Sequence, residues 1–164
     1  MIPTATRLSY ANGYIELGML KEASEELDAI DPADRLKDSV LLLRSKLYLE
    51  AKNWEVMAAV SQQLAEQSPH SPHAWTNWAY ALREMNRNEE AKKVALRGLV
   101  IHPQEPILWF NLACYCSLLG QFQDASDHLD SAIKLDKDFE TESVDDPDLE
   151  GLWNWLKSQE ESDA

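Results

Sequence analysis

The side chains able to do chemistry in this 164-residue chain do not group into a catalytic pattern. His70 and His73 are three residues apart, but no nearby Cys, Asp or Glu completes a zinc-binding spacing. Cys114 and Cys116 have no second pair to match them. The glycines are scattered rather than arranged as a phosphate-binding loop, and no Ser-His-acid set is evident. The sequence therefore predicts a protein that is not an enzyme and that holds neither a metal nor a cofactor.

The polar side chains that suit recognition are Asn77 and Asn111, which lie 34 residues apart. An amide side chain offers both donors and an acceptor, so paired asparagines can hydrogen-bond a peptide backbone. A fixed period of 34 residues indicates one structural unit copied along the chain. Other residues recur at the same step: Pro72 and Pro106, Trp75 and Trp109, Ala79 and Ala113, and Ala91 and Ala125.

Composition and charge limit the partners. Hydrophobic residues make up 45% of the chain, as in ordinary soluble proteins, but the net charge is −14. Such a chain repels polyphosphate, so we expect neither nucleic acid nor an anionic membrane as a partner. No signal sequence is evident and no apolar run approaches the ~18 residues of a membrane span. Cys114 and Cys116 would face opposite sides of a helix, which suits a reducing compartment, and we expect a cytoplasmic protein.

The step of 34 predicts four units, each built from two helices joined by a short turn. The units run over 4–37, 38–71, 72–105 and 106–139. The first helices lie near 4–17, 36–51, 72–85 and 106–119, and the second near 20–30, 54–67, 88–101 and 122–135. Turn residues fall between the two helices of each unit, and prolines fall between units. The turn residues are Gly18, Asn53, Asn86 and Gly120.

The apolar residues follow a helical period, and their spacing identifies a family. In the third unit Trp75, Trp78, Ala79 and Leu82 lie at i, i+3, i+4 and i+7. With Ala91, Ala95 and Pro103 they resemble the tetratricopeptide (TPR) repeat, whose pattern is W-x2-L-G-x2-Y…A-x3-F…P. The fourth unit follows the pattern from Trp109 to Leu129, the first two units follow it less closely, and the resemblance covers residues 4–137. It implies an all-α fold, a TPR α-solenoid forming a right-handed superhelix of antiparallel helix pairs.

The resemblance also implies a binding surface, because the first helix of each TPR pair lines a concave face. We call the residues on that face the inner stripe: Ala5, Leu8, Asn12 and Ile15; Ser39, Leu42, Lys46 and Leu49; His73, Thr76, Tyr80 and Arg83; Ile107, Phe110, Cys114 and Ser117. The positions that match the carboxylate clamp of some TPR proteins carry the wrong residues, apart from one asparagine, so no such clamp is predicted. The predicted partner-binding residues are Asn12, Lys46, His73, Asn77, Tyr80, Arg83, Ile107, Phe110 and Asn111. Two alternatives stay open: Tyr80 and Phe110 pack between repeats, or Asn77 and Asn111 bridge neighbouring helices.

Beyond the repeats the chain is strongly acidic. Residues 138–148 are poor in apolar residues and are predicted to be a solvated linker. Asp146-Pro147 has the form of a helix start. An amphipathic helix is predicted over 149–160, with Leu149, Leu152, Trp153 and Leu156 on one stripe. We expect it to cap the last unit; the alternatives are that it occupies the concave groove as an internal ligand, or binds another protein.

The sequence therefore predicts a protein-interaction module, an adaptor or scaffold that binds a peptide or helix of a partner protein on its concave face. One alternative is a structural protein that self-assembles into a homo-oligomer through an end of the solenoid. The other is a secretion-type chaperone, since some of these carry TPR arrays.

Overall fold

The computed structural model describes residues 1–164, and the chain folds into ten α-helices and two short 3-10 turns with no strands. The first eight helices alternate as the repeat predicts: α1 (Thr4–Glu16), α2 (Leu20–Asp28), α3 (Asp38–Glu50), α4 (Trp54–Gln67), α5 (Pro72–Glu84), α6 (Asn88–Ile101), α7 (Pro106–Leu118) and α8 (Phe122–Leu135). Two more helices follow, α9 (Asp138–Asp145) and α10 (Glu150–Asp163). The 3-10 turns are Pro32–Asp34 and Pro147–Leu149. The prediction of an all-α fold built from paired helices is confirmed.

A three-residue turn joins the helices of each pair, and the four turns recur at the step of 34. In the first, the N–H of Met19 donates to the carbonyl of Tyr14 at 2.8 Å, closing the end of α1. Gly18 takes the left-handed conformation that this turn needs, with φ of 74°. In the second turn the left-handed residue is Lys52, and the predicted turn residue Asn53 follows it. Asn53 instead caps α4, its side chain accepting from the N–H of Val56 at 3.4 Å.

The chain divides into two compact units, Met1–Ala81 and Leu82–Ala164. In the first unit, α1 packs on α2 and α3, and α3 packs on α4. Its core combines alanines with larger aliphatic residues, so that the helices approach closely while the remaining volume is filled. Part of this core is Ala11, Ile15, Ala23, Leu27, Ile30, Val40 and Leu47.

A buried polar pair lies where α3 meets α4. Ser45 and Ser61 are both fully buried, and their hydroxyl oxygens are 2.9 Å apart. Asn77 of α5 adds a hydrogen bond from its amide nitrogen to the Ser45 hydroxyl at 3.1 Å. Two hydroxyls at this interface satisfy each other, which meets the requirement that buried polar groups be paired.

In the second unit α7 is the central helix. It packs on α6 and α8, and the C-terminal segment packs on it as well. All residues from Leu112 to Ser117 are consequently buried. Five of these six residues are apolar or weakly polar, because a helix covered all round needs apolar side chains all round.

The tryptophans at the 34-residue step fill volume beside the turns between repeats. Trp75 is 3% exposed and donates its indole N–H to the carbonyl of Pro69 at 2.8 Å. Trp109 is half-buried and makes the same bond to Pro103 at 2.8 Å. The repeat in sequence is thus also a repeat in hydrogen bonding.

The acidic residues after the repeats correct one prediction. Residues 138–145 form α9 rather than a solvated linker, with Phe139 and Ser143 buried. The physical reason is that Phe139 covers an apolar surface of α7, which the excess of acidic residues around it concealed. The last helix, α10, runs to Asp163, three residues further than predicted.

Candidate partner-binding surfaces

The inner stripe of the first unit borders an open groove of about 720 Å³. Its apolar lining comes from Ala5, Leu8, Leu42, Leu43 and Leu49, and its polar lining from Ser9, Asn12, Ser39, Lys46, His73 and Asn77. Four of the predicted partner-binding residues, Asn12, Lys46, His73 and Asn77, are thus brought together. Ile15 belongs to the stripe by spacing but is buried in the core at 5% exposure.

Lys46 supplies the positive charge in this groove. Its ammonium nitrogen donates to the side-chain oxygen of Asn12 at 2.8 Å and lies 3.8 Å from a carboxylate oxygen of Glu16. The side chain stays 42% exposed. A lysine ammonium carries three N–H donors, and at 3.8 Å Glu16 is only a loose partner, so Lys46 can still bind a ligand carboxylate.

Asn77, which lines the groove, also connects two helices. The Asn77 side chain reaches from α5 to Ser45 of α3, which is the helix-bridging alternative left open by the sequence. This bond uses only the amide nitrogen. The side-chain oxygen is a separate acceptor, so the amide can bridge the helices and accept from a ligand N–H at the same time.

Tyr80 lies outside the groove lining. Its ring meets the ring of Trp54 edge-on, with centroids 5.9 Å apart, and the residue remains 36% exposed. This geometry is a common arrangement of aromatic pairs in protein cores and surfaces. Tyr80 therefore packs against α4 while leaving part of its surface open.

In the second unit the chain's own C-terminal segment covers the inner stripe. Phe110 is 6% exposed because its ring stacks on Phe139, with centroids 4.6 Å apart. The Ser117 hydroxyl accepts from the backbone N–H of Leu152 at 3.3 Å. A groove ligand cannot reach these positions while the segment is in place.

An ion pair adds to this contact. The Arg83 guanidinium donates from Nε to Asp148 at 2.8 Å, and a second, shorter bond from its terminal nitrogen makes the pair two-pronged. Such bidentate pairs fix geometry as well as charge. Arg83 and Phe110, predicted to touch a partner, are therefore used within the chain. Ile107 and Asn111 are half-buried.

The C-terminal residues predicted to cap the array differ in their burial and contacts. Leu149 and Leu152 are fully buried, and the Trp153 indole N–H donates to the carbonyl of Ser143 at 2.9 Å. Leu156 is half-buried. The segment packs on both α7 and α8, so it covers the end of the repeats and the inner stripe together.

Trp155 and Gly151 make contacts that the apolar pattern of α10 did not reveal. The Trp155 ring stacks on Phe122 at 6.0 Å. A Cβ on Gly151 would lie 3.0 Å from the Phe122 ring, so a side chain there would require the ring to shift by a few tenths of an ångström. Neither contact follows from local spacing, since Phe122 begins α8 nearly thirty residues earlier. Gly151, the second residue of α10, was the one hint of close packing.

One cluster has the elements of a metal site. The sulfur of Cys114 and carboxylate oxygens of Asp146 and Asp148 lie within 4.8 Å of one another. However, burial raises the pKa of the Cys114 thiol far above its usual range, with the two carboxylates adding to the effect. The thiol therefore stays protonated and Arg83 supplies the compensating charge, so the cluster holds the C-terminal segment in place.

The pKa shifts of two other titratable groups, Cys116 and His128, come mainly from burial. Burial raises the pKa of Cys116 to about 11. His128, whose ring lies 5.6 Å from that of Trp109, has its pKa lowered by burial, although neighbouring Asp124 opposes the shift. None of these groups faces the open groove. None of the ten helices combines the length and the apolar character that a membrane span requires.

Comparisons with known proteins support the repeat seen in the sequence and the structure. Models of the tetratricopeptide repeat match residues 72–113 and 107–139. No curated protein sequence matches the chain. Among solved structures, MamA from MSR-1 is 18% identical with a TM-score of 0.72, covering 83% of this chain and 78% of its own.

Two further solved structures show the same fold. TTC0263, a thermophilic TPR protein of Thermus thermophilus, is 15% identical with a TM-score of 0.68, covering 82% of this chain and 75% of its own. YrrB, described as a TPR protein with an unusual peptide-binding site, is 14% identical with a TM-score of 0.69, covering 82% and 70%. Repeat spacing, helix pairs, family models and similar structures agree: residues 72–139 are tetratricopeptide repeats, and the chain has the fold of TPR proteins.

Proposed function

We propose that this protein binds a helix or extended peptide of a partner protein in the open groove of its first unit. TPR repeats in general act as protein-interaction modules and scaffolds rather than enzymes. The proposal that this groove is the binding site rests on one observation, the difference between the inner-stripe residues of the two units. In the second unit the stripe is covered by the chain itself, whereas in the first unit it is open.

The groove has the composition of a recognition site. Leucines make up most of its apolar lining, and Leu42 is 38% exposed, so a ligand would remove apolar surface from water. Polar groups from Asn12, Lys46 and Asn77 converge on it and would fix the ligand's orientation. A mainly apolar pocket with a few placed polar groups is the usual form of a binding site.

A displayed library of short helical peptides tests the proposal with synthetic ligands. Peptides selected on the wild-type chain are rescreened on Leu42→Arg, which places a charge in the groove. The matched control is Leu96→Arg, because Leu96 is 41% exposed on α6 and lies outside the groove. We expect Leu42→Arg to abolish binding of most selected peptides and Leu96→Arg to preserve it. Equal binding to both variants would refute the groove as the site.

A second candidate is pairing of two copies through the first helix pair. Tyr10 is 50% exposed and Leu17 is 74% exposed, which leaves apolar surface on this pair. A second copy would cover such surface by the same principle that buries helix faces between repeats. Sedimentation over a range of concentrations decides this: a dimer that Tyr10→Lys and Leu17→Lys dissociate supports pairing, and a monomer at high concentration excludes it.

A further inference from the structure

The segment that fills the stripe of the second unit indicates what fits the open stripe of the first. Repeat positions can be compared directly, because the turns and helices recur at a step of 34. Two steps separate Cys114 from Lys46 and Phe110 from Leu42. The pairs therefore occupy the same position on the first helix of their repeats.

The C-terminal segment presents two kinds of group to this stripe. Asp146 and Asp148 place carboxylate oxygens beside the Cys114 sulfur, all within 4.8 Å. Leu149 and Leu152 follow and are fully buried. The Asp146 side chain also accepts from the N–H of Asp148 at 2.9 Å, which shapes the turn before the helix.

The residue changes between the two stripes favour the same kind of ligand in the first unit. Where the carboxylates meet a neutral thiol in the second unit, the first unit offers the ammonium of Lys46. Where an aromatic ring lies at Phe110, the first unit offers Leu42, which is also apolar. No carboxylate lines the groove, and Glu16 approaches Lys46 only at 3.8 Å.

We propose that the groove of the first unit binds a partner segment in which two carboxylates, two residues apart, open a helix that carries leucines on one face. The proposal rests on the proposed function and names its ligand class. The carboxylates pair with Lys46, and the leucines pack on Leu8, Leu42 and Leu49. Long-range charge does not forbid this, because residues 1–81 hold 11 acids against 7 bases and most of the net negative charge lies in the second unit.

The occupant is a segment of a different protein rather than the C-terminal segment of a second copy. In each copy Leu149 and Leu152 are already buried, and Asp148 is already paired with Arg83. Releasing that segment would expose both leucines and break the ion pair. A partner with a free segment of the same chemistry meets no such cost.

A synthetic peptide with the sequence of residues 144–158 is a suitable probe, since it contains Asp146 and Asp148 followed by Leu149 and Leu152. Its binding to the full-length chain is followed by fluorescence anisotropy. We expect Lys46→Glu to weaken binding by about tenfold or more, because attraction to the carboxylates becomes repulsion. Lys46→Gln should give a smaller loss. Lys21→Glu is the control, because Lys21 is 85% exposed on α2 and outside the groove.

Exchanging the charges between the peptide and Lys46 distinguishes direct pairing from a structural effect of the substitution. A peptide carrying Asp146→Lys and Asp148→Lys should bind the Lys46→Glu variant more tightly than it binds the wild type. The proposal would be overturned if the charge-exchanged peptide bound the variant no more tightly than the wild type. It would also be overturned if Lys46→Glu left binding of the original peptide unchanged. A wild-type dimer that Lys46→Glu dissociates would overturn it as well, since the occupant would then be a second copy.

The peptide library distinguishes failure of this ligand class from failure of the proposed function. Library peptides that depend on Leu42 but carry no preference for carboxylates would leave the groove as a binding site and overturn the ligand class alone. A library with no peptide that depends on Leu42 would overturn both.

Discussion

Truncating Leu152 to alanine tests whether the C-terminal segment is packed on the second unit as the structure shows. Leu152 is fully buried, and its backbone N–H donates to Ser117. The change removes three carbon atoms, and at about 0.8 kcal/mol for each buried methylene the transfer loss is about 2.4 kcal/mol. The cavity left behind adds to this, giving about 3 kcal/mol in total.

Urea unfolding followed by circular dichroism measures this loss. With an m value of about 2 kcal/mol/M, a loss of about 3 kcal/mol lowers the midpoint by about 1.5 M. The matched control is Val144→Ala, because Val144 lies in the same segment but is 64% exposed. It should change the free energy of unfolding by less than about 0.5 kcal/mol.

Detachment of the segment alone gives a second, distinguishable result. The free energy that holds residues 138–163 in place is then smaller than about 3 kcal/mol, and the global midpoint falls by less than about 1.5 M. Hydrogen exchange in α9 and α10 would speed up while exchange in α7 stayed slow. If Leu152→Ala matches Val144→Ala in both the midpoint and the exchange rates, the packing described for this segment is refuted.

Buried contacts lead to three further predictions. Gly151→Ala should lower stability by about 1 kcal/mol, because a neighbouring ring must move, whereas Gly13→Ala should raise it by about 0.5–1 kcal/mol, because its Cβ meets nothing within 4 Å. Ser45→Ala should cost about 1–3 kcal/mol by leaving Ser61 without a partner, and the double alanine variant should cost less than the sum of the single changes. His128, with its pKa lowered below 6.5 by burial, should stabilise the fold above that pH and lose this contribution as the pH falls; His128→Gln should flatten the dependence.

Each of these has a measurement that decides it. Urea midpoints compare the glycine and serine variants, and a stabilising Gly151→Ala would contradict the close approach of α10 to α8. An additive serine cycle would contradict a shared hydrogen bond. For His128, stability is measured between about pH 5 and 7, where a histidine of lowered pKa titrates. An unchanged slope in the glutamine variant would show that another group titrates there.

The 34-residue period determined the helices of the repeats with little error. Seven of the eight predicted helices of the repeats begin at the predicted residue, because helix starts follow local signals such as Pro72 and Pro106. Helix ends agree with the prediction to within two residues, and Gly18 and Gly120 take the left-handed conformation that closes a helix. The exception was α3, which begins at Asp38 after the 3-10 turn Pro32–Asp34.

The candidate site was only partly predictable. The period placed Asn12, Lys46 and His73 on one stripe with Asn77 beside it, and the structure brings all four to one groove. It could not show which part of the stripe is open. That depends on where the C-terminal segment lies, and no local pattern specifies it.

The sequence by itself determined the repeat, the helix boundaries and the residues that share a face, since each depends on spacing within about one turn or one period. Tertiary structure alone decided that Arg83 meets Asp148 and that Phe110 meets Phe139. These partners lie 65 and 29 residues apart, separations that do not match the 34-residue step, so periodicity carries no information about them. Their contacts cover the stripe of the second unit, and the stripe of the first unit remains open for a partner.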